Sequence, residues 1–339
     1  MNSFDTFNWL RSARRLLSAG LVATTIGLGL GASLASHAAP TAAPAAAAAS
    51  TPVAYRYAVV DGVRVFYREA GPAEGPQVLL LMGFGGSSYM FRDLIPKLAA
   101  ANYHVIAPDL PGFGLTEVPP ARNYRYRFEN IANTMEAFTE AVKFNRYAVY
   151  VFDYGAPTGY RLALRHPERV AAIISQNGNA YEEGLSKGWT PIQAYWKDPS
   201  EANRNALRGF MKLETTRWQY EEGTRDKSRV SPDAIMLAQQ AMDAPGNVDA
   251  QLDLFGDYQN NVALYPKFHE YFRANKPPLL AVWGKNDPFF LPAGAEAYKR
   301  DNPNAEVHFV DGGHFALESN GDEIAGYILE FLGRVHVKR

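Results

Sequence analysis

The stretch AVYVFDYGAPTGYRLALR, residues 148–165, decides the fold. An apolar run from Ala148 to Phe152 leads directly into Asp153-Tyr154-Gly155-Ala156, and Pro157 then opens a segment of helical character. Proline suits the first turn of a helix, because the backbone N–H that it lacks would be unpaired there. The pattern predicts a buried strand, a tight turn and a helix, with the Asp153 carboxylate at the turn.

The same alternation of short apolar runs and helical segments continues on both sides of this stretch. A hairpin is predicted first, with two β-rich runs around Asp61-Gly62. The further predicted strands are Val78–Leu81, His104–Ala107, Val170–Ser175, Pro278–Trp283 and Val307–Val310, and the further predicted helices are Tyr89–Ala101, Phe128–Val142, Ala293–Lys299 and a final amphipathic helix. Strands that are apolar on both faces and alternate with helices predict an α/β fold, with a mostly parallel eight-stranded sheet covered by helices on both faces.

The alternation stops between residues 179 and 275, where the sequence is polar, rich in aromatic residues and helical in character. We therefore predict a core in two halves, residues 54–178 and 276–339, with a helical cap of residues 179–275 inserted between them. Near the N-terminus, Arg11, Arg14 and Arg15 precede an apolar run and then small residues up to Ala38. This order predicts an export signal, residues 1–38, followed by an Ala/Pro-rich linker, residues 39–53.

The predicted location is the periplasm or the exterior of the cell, with no stable membrane span in the mature chain. The Arg14-Arg15 pair leaves the twin-arginine route open, and the apolar run has about the length of a membrane anchor, which is the alternative. Over 339 residues, 34 Lys and Arg balance 35 Asp and Glu, and cysteine is absent. This balance argues against a nucleic-acid partner and favours a small neutral one, whereas the oligomeric state stays open.

Candidate catalytic groups follow three strands. In a parallel sheet the carboxyl ends of the strands meet at one edge, so Asp153, Asp287 and His314 are expected to lie close together. Taken singly, each residue has an ordinary structural explanation. Asp153 could be a helix cap, and Asp287 precedes a proline as turn residues often do. Together they give the order nucleophile, acid, base.

The segment Met82-Gly83-Phe84-Gly85-Gly86 follows a predicted strand at the same edge. It can direct the Phe84 N–H toward the turn, where the Tyr154 N–H would complete an oxyanion hole, although the glycines could also serve only a tight turn. Gly184-Leu185-Ser186-Lys187-Gly188 matches the G-x-S-x-G pattern, but no apolar strand precedes it. The spacing of the histidines predicts no metal site, and we expect no cofactor.

These residues resemble the α/β-hydrolase fold, and within it the epoxide hydrolase and haloalkane dehalogenase branch that uses an aspartate nucleophile. The motifs that carry the resemblance are Gly83-Phe84, Ala107–Gly114, Asp153-Tyr154-Gly155, Trp283–Pro288 and Gly313–Ala316. Gln176–Gly184 and Asp257–Asn261 are similar to an epoxide-hydrolase-like subgroup. The chain departs from the family at Met82 and Gly85, where the family has a His-Gly-x-Pro sequence. Tyr154 and Phe84 stand where dehalogenases carry halide donors, which makes halide release the weaker expectation.

The resemblance implies that Asp153 opens an epoxide and forms an ester, which water activated by His314 then cleaves while Asp287 orients the histidine. A cap tyrosine would protonate the leaving oxygen, and Tyr258 is the expected residue, with Tyr195 as a second candidate. Tyr195 and Trp196 are the expected substrate-binding residues of the cap. The alternatives are a haloalkane dehalogenase, an ester hydrolase that uses Ser186, and a ligand-binding homologue without turnover.

Overall fold

A computed structural model describes residues 52–335, and its centre is one eight-stranded sheet. The strands are β1 (Ala54–Val60), β2 (Val63–Ala70), β3 (Gln77–Leu81), β4 (His104–Pro108), β5 (Tyr147–Phe152), β6 (Val170–Gln176), β7 (Leu279–Gly284) and β8 (Glu306–Val310). Their order across the sheet is β1-β2-β4-β3-β5-β6-β7-β8. The pairs β1–β2 and β2–β4 are antiparallel and all the others are parallel, as the sequence predicts.

The hairpin and the strand interiors form for simple reasons. Asp61 and Gly62 both have positive φ, which is the backbone of a two-residue hairpin turn whose twist matches the strands. Every residue of β3, β4, β5, β6 and β7 is buried. These strands are therefore covered by helices on both faces, and the core lies against both sides of the sheet.

Ten α-helices surround the sheet in the described part of the chain. They are α1 (Leu94–Ala100), α2 (Phe128–Ala141), α3 (Gly155–Arg165), α4 (Thr190–Lys197), α5 (Glu201–Ala206), α6 (Leu213–Glu221), α7 (Pro232–Met242), α8 (Asn247–Asn275), α9 (Pro292–Asp301) and α10 (Ala316–Arg334). The predicted helix Tyr89–Ala101 is wrong at its start, because residues 88–91 form a 3₁₀ turn and α1 begins at Leu94. Pro96 requires this start, since proline fits only the first turn of a helix.

Helices α4 to α8 lie between β6 and β7, at the place in the chain where the cap is predicted. The longest of them, α8, packs against α3 and α4 and continues through Pro266. The predicted export signal and all of the predicted linker before Pro52 lie outside the described residues. None of the described helices combines the length and the apolar character that crossing a membrane requires.

Candidate active site

Asp153 lies on a sharp turn between β5 and α3 and is the centre of the site. Its φ is 47°, a left-handed conformation that is uncommon for a residue other than glycine. The turn depends on two glycines, because a Cβ on Gly83 would overlap the Asp153 side chain and a Cβ on Gly155 would overlap the Leu81 carbonyl. Such strain at a single residue is typical of functional sites, where the surrounding structure holds one side chain in place.

The Asp153 carboxylate is 5% exposed and accepts a hydrogen bond from the Phe84 N–H at 2.6 Å. Burial raises its pKa from 3.8 to about 6, and the nearby His314 and the N–H groups of Phe84 and Tyr154 oppose this rise. The two backbone donors predicted to form an oxyanion hole therefore both interact with the Asp153 carboxylate. The carboxylate remains mostly ionised at neutral pH and is poorly hydrated.

His314 and Asp287 lie beside Asp153 as the sequence predicts. The His314 Nδ1 atom is 2.8 Å from Asp287 Oδ2, and its Nε2 atom is 3.8 Å from Asp153 Oδ2. Burial alone would lower the pKa of His314, but the carboxylates of Asp287 and Asp153 outweigh it and raise the pKa above 6.5. This places an imidazole, oriented by one carboxylate, next to a second carboxylate.

Asn177, at the end of β6, is a site residue to which the sequence analysis assigned no role. Its Nδ2 donates to Asp287 Oδ2 at 2.6 Å, and its Oδ1 accepts from the Gly284 N–H at 2.9 Å. The other Asp287 oxygen accepts from the N–H groups of Phe289 and Phe290. These donors keep the Asp287 carboxylate in one orientation. The signal was available, since Asn177 follows a strand at the same sheet edge as the triad.

The oxyanion loop, residues 82–86, is held by the cap. Gly85 has a φ of 68°, and its carbonyl accepts a hydrogen bond from the Tyr220 hydroxyl of α6 at 2.9 Å. The Tyr220 ring stacks on Phe315 with 3.8 Å between the ring centroids. At Gly85, where the sequence departs from the family, Tyr220 attaches this loop to α6.

A small cavity of about 20 Å³ adjoins Asp153 and His314. Its volume is about that required by one water molecule. Its walls are mainly aromatic, and the residues that line it are Phe84, Asp153, Tyr154, Trp189, Ile192, Phe210, Gln219, Phe255, Phe289 and His314. The lining is therefore suited to an apolar molecule, and any molecule larger than water enters only if the surrounding side chains move.

Three predicted cap residues do not line this cavity. Tyr258 is fully buried and packs on Trp189 and Tyr154, which do line it, and its hydroxyl has no hydrogen-bond partner of good geometry in the described chain. Burial raises the pKa of Tyr258 well above its ordinary value. Tyr195 faces a separate polar surface groove, and the Trp196 indole donates to the Phe255 carbonyl. Their roles as substrate contacts stay predictions.

Ser186 lies outside any strand-to-helix turn. Its hydroxyl donates to the Pro288 carbonyl at 2.5 Å and accepts from the Gly188 N–H at 3.0 Å, which caps a 3₁₀ turn. These contacts describe a structural serine. Among residues 52–335, no group of three or more His, Cys, Asp or Glu side chains is arranged to hold a metal ion.

The strand order agrees with a comparison against known protein families. A family model described as "alpha/beta hydrolase fold" matches residues 76–321. The chain belongs to the alpha/beta hydrolase fold family. It is a hydrolase of this family, and the matched residues include the loop of residues 82–86, the turn at Asp153, Asp287 and His314.

Individual relatives of this alpha/beta hydrolase include several enzyme types. An uncharacterized hydrolase of Saccharomyces cerevisiae is 45% identical over 280 residues, which cover 81% of this chain and 95% of the relative. A haloalkane dehalogenase of Psychrobacter cryohalolentis is 25% identical over 289 residues, covering 80% and 88%. The crystal structure of epoxide hydrolase A from Mycobacterium thermoresistibile has a TM-score of 0.66 at 21% identity and covers 84% of this chain and 99% of that one. The last likeness shows the fold alone.

Proposed function

We propose that this hydrolase opens an epoxide to a diol through an ester on Asp153. The observation that carries the proposal is the carboxylate at the turn, where one oxygen accepts from the Phe84 N–H at 2.6 Å and the other lies 3.8 Å from His314 Nε2. A carboxylate attacks an electrophilic carbon directly, without a base to remove a proton from it. The relative named as a haloalkane dehalogenase supports a substrate with an electrophilic carbon.

In the first step an Asp153 oxygen attacks one epoxide carbon from the back, a carbon–oxygen ester bond forms, and the ring carbon–oxygen bond breaks. The electron pair stays on the ring oxygen, which takes a proton because an alkoxide is a poor leaving group. We assign the proton donor to Tyr258, as the resemblance implies. Its position behind Trp189 and Tyr154 requires one of these rings to move when the substrate binds.

In the second step His314 takes a proton from water, and the hydroxide adds to the ester carbonyl carbon of Asp153. The Phe84 and Tyr154 N–H groups hold the resulting oxyanion. Collapse releases the diol oxygen, which takes the proton from His314, and the carboxylic acid left on Asp153 gives its proton back to the phenolate. Asp287, fixed by Asn177, stabilises the imidazolium that forms during this step.

A haloalkane dehalogenase is the second candidate, because the dehalogenase relative covers most of the chain and the same ester chemistry would serve. The two reactions differ in the leaving atom. A halide leaves without a proton but requires N–H donors, and the side chain of Phe84, at one expected donor position, has none. This difference favours the epoxide.

The test is to trap the ester with a panel of small epoxides and bromoalkanes. We expect His314→Gln to accumulate a substrate adduct on Asp153, because the water in the second step is no longer activated, while Asp153→Asn carries no adduct. Intact-protein and peptide mass spectrometry locate the adduct, and product analysis distinguishes diol from halide release.

Ser186→Ala is the matched control and should retain most of the activity, since the Ser186 hydroxyl bonds only to backbone groups. If the His314→Gln protein carries no adduct with any epoxide or bromoalkane, the covalent mechanism is wrong. An adduct from bromoalkanes together with halide release, and none from epoxides, would instead establish the second candidate.

A further inference from the structure

Gln219 is a buried amide in the catalytic cavity that the reaction described above does not use. It lies on α6 and is 2% exposed, and it lines the cavity together with Asp153 and His314. Its side chain has no protein hydrogen-bond partner among residues 52–335, and its polar atoms are not among the fully enclosed unpartnered atoms of those residues, so they border open space in the cavity. An amide that borders a cavity and has no protein partner is available to hydrogen-bond a molecule bound there.

A second buried glutamine of the cap, Gln239, has a structural role. Gln239 on α7 is also buried, but its amide donates to the Met211 carbonyl at 3.0 Å and to Asp243 Oδ1 at 2.7 Å. Its oxygen accepts from the Thr216 hydroxyl at 2.7 Å. The Gln239 side chain is therefore fully engaged by protein groups, and that of Gln219 is free to bind a molecule in the cavity.

The position of Gln219 is defined relative to the oxyanion loop. Its Oε1 atom is 3.2 Å from the point where a Cβ on Gly85 would lie, so the glycine leaves room for the amide. The cavity walls elsewhere are aromatic and aliphatic, and the Tyr154 hydroxyl is buried away from open space. Gln219 is thus the polar cap side chain that faces the nucleophile's cavity.

We propose that the Gln219 amide N–H donates a hydrogen bond to the epoxide oxygen and so orients the ring for attack by Asp153. This inference rests on the proposed function. An amide does not ionise, so Gln219 transfers no proton, and it stabilises the negative charge that develops on the ring oxygen. It favours a small epoxide with an apolar substituent, because the other cavity walls are mainly aromatic and aliphatic.

The experiment measures the two chemical steps separately in single-turnover reactions with a small terminal epoxide. For Gln219→Met, we expect ester formation to slow by about ten- to a hundredfold, because a hydrogen bond to a developing charge is lost. The rate of ester hydrolysis should stay close to that of the wild type, since the ring oxygen is already a hydroxyl at that stage. Quenched-flow sampling with mass spectrometry of the ester gives both rates.

Gln219→Glu has nearly the shape of glutamine but cannot donate when ionised, so ester formation should slow at least as much as in Gln219→Met. Gln239→Met is the matched control, in which we expect a lower thermal midpoint but wild-type rates. The thermal midpoint of Gln219→Met should equal or exceed that of the wild type, because no protein hydrogen bond is lost.

Wild-type ester formation in both Gln219 variants would overturn the inference, and so would an equal slowing of both steps, which indicates a structural role. Either result leaves the ester on Asp153 intact as the proposed function. Absence of any ester in the His314→Gln protein would overturn the proposed function and this inference together.

Discussion

Asp153 combines a left-handed backbone with a buried carboxylate, and both features lower the stability of the fold. Burial raises the pKa of Asp153 from 3.8 to about 6. Above pH 6 the ionised carboxylate therefore lowers the free energy of unfolding by about 3 kcal/mol. Between pH 3.8 and 6 the unfolded chain ionises first, so this destabilisation develops as the pH rises. Below pH 3.8 both states are protonated and the difference disappears.

We therefore predict that Asp153→Asn is more stable than the wild type at pH 8, with a gap of up to about 3 kcal/mol that closes near pH 4. Urea unfolding at a series of pH values measures it. Glu136→Gln is the control: Arg165 and His166 outweigh burial and hold the pKa of Glu136 below its usual value, so the loss of this charge should lower stability at pH 8. An Asp153→Asn protein that is less stable at pH 8 would contradict the prediction.

Among the elements, α6 connects the cap to the chemistry, since it carries both Gln219 and Tyr220. The Tyr220 hydroxyl holds the Gly85 carbonyl, and Gly85 follows Phe84, whose N–H contacts Asp153. A movement of α6 would therefore displace the oxyanion loop. This connection explains how a loop with glycines at three of its five positions keeps one conformation.

We predict that Tyr220→Phe lowers stability by about 1 kcal/mol and slows ester hydrolysis more than ester formation, because the oxyanion forms in the second step. Single-turnover rates and urea unfolding measure these effects. Tyr271→Phe on α8 is the control, since the Tyr271 hydroxyl makes no hydrogen bond in the described chain. Equal slowing of both steps would indicate a general loss of order around the cavity.

The sequence predicted the strands and the residues at their ends because hydrophobic runs and the geometry of parallel sheets fix them locally. Asp153, Asp287 and His314 belong to this group, and Asn177 could have been added by the same reasoning. The cap residues differ. Whether Gln219, Tyr195 or Trp196 faces the cavity depends on how five helices pack over the core, and their sequence has no period that encodes it.

In the whole chain, the predicted leader, residues 1–38, precedes the part that the structure describes, which begins at Pro52. We propose export of the protein through residues 1–38, since Arg11, Arg14 and Arg15 precede an apolar run that ends in small residues. The first described strand begins at Ala54, so cleavage after Ala38 would leave every described element in the mature chain.

We predict that the full chain, expressed in a bacterium with two membranes, reaches the periplasm as a protein that begins at Ala39. N-terminal sequencing and the intact mass of the periplasmic protein test this. Leu28→Asp should block export because a charge interrupts the apolar run, and the joint change Arg14→Lys with Arg15→Lys should do so only if the twin-arginine route is used. A full-length protein confined to the cytoplasm would contradict the prediction.

The one-water cavity also bears on how a substrate reaches Asp153. An epoxide is larger than water, and the aromatic walls around Asp153 and His314 leave it no room in the conformation described. Binding therefore requires aromatic side chains of the cap, such as Trp189 or Phe255, to change position. A rearrangement of aromatic packing then precedes the chemistry, and its rate sets an upper limit on turnover.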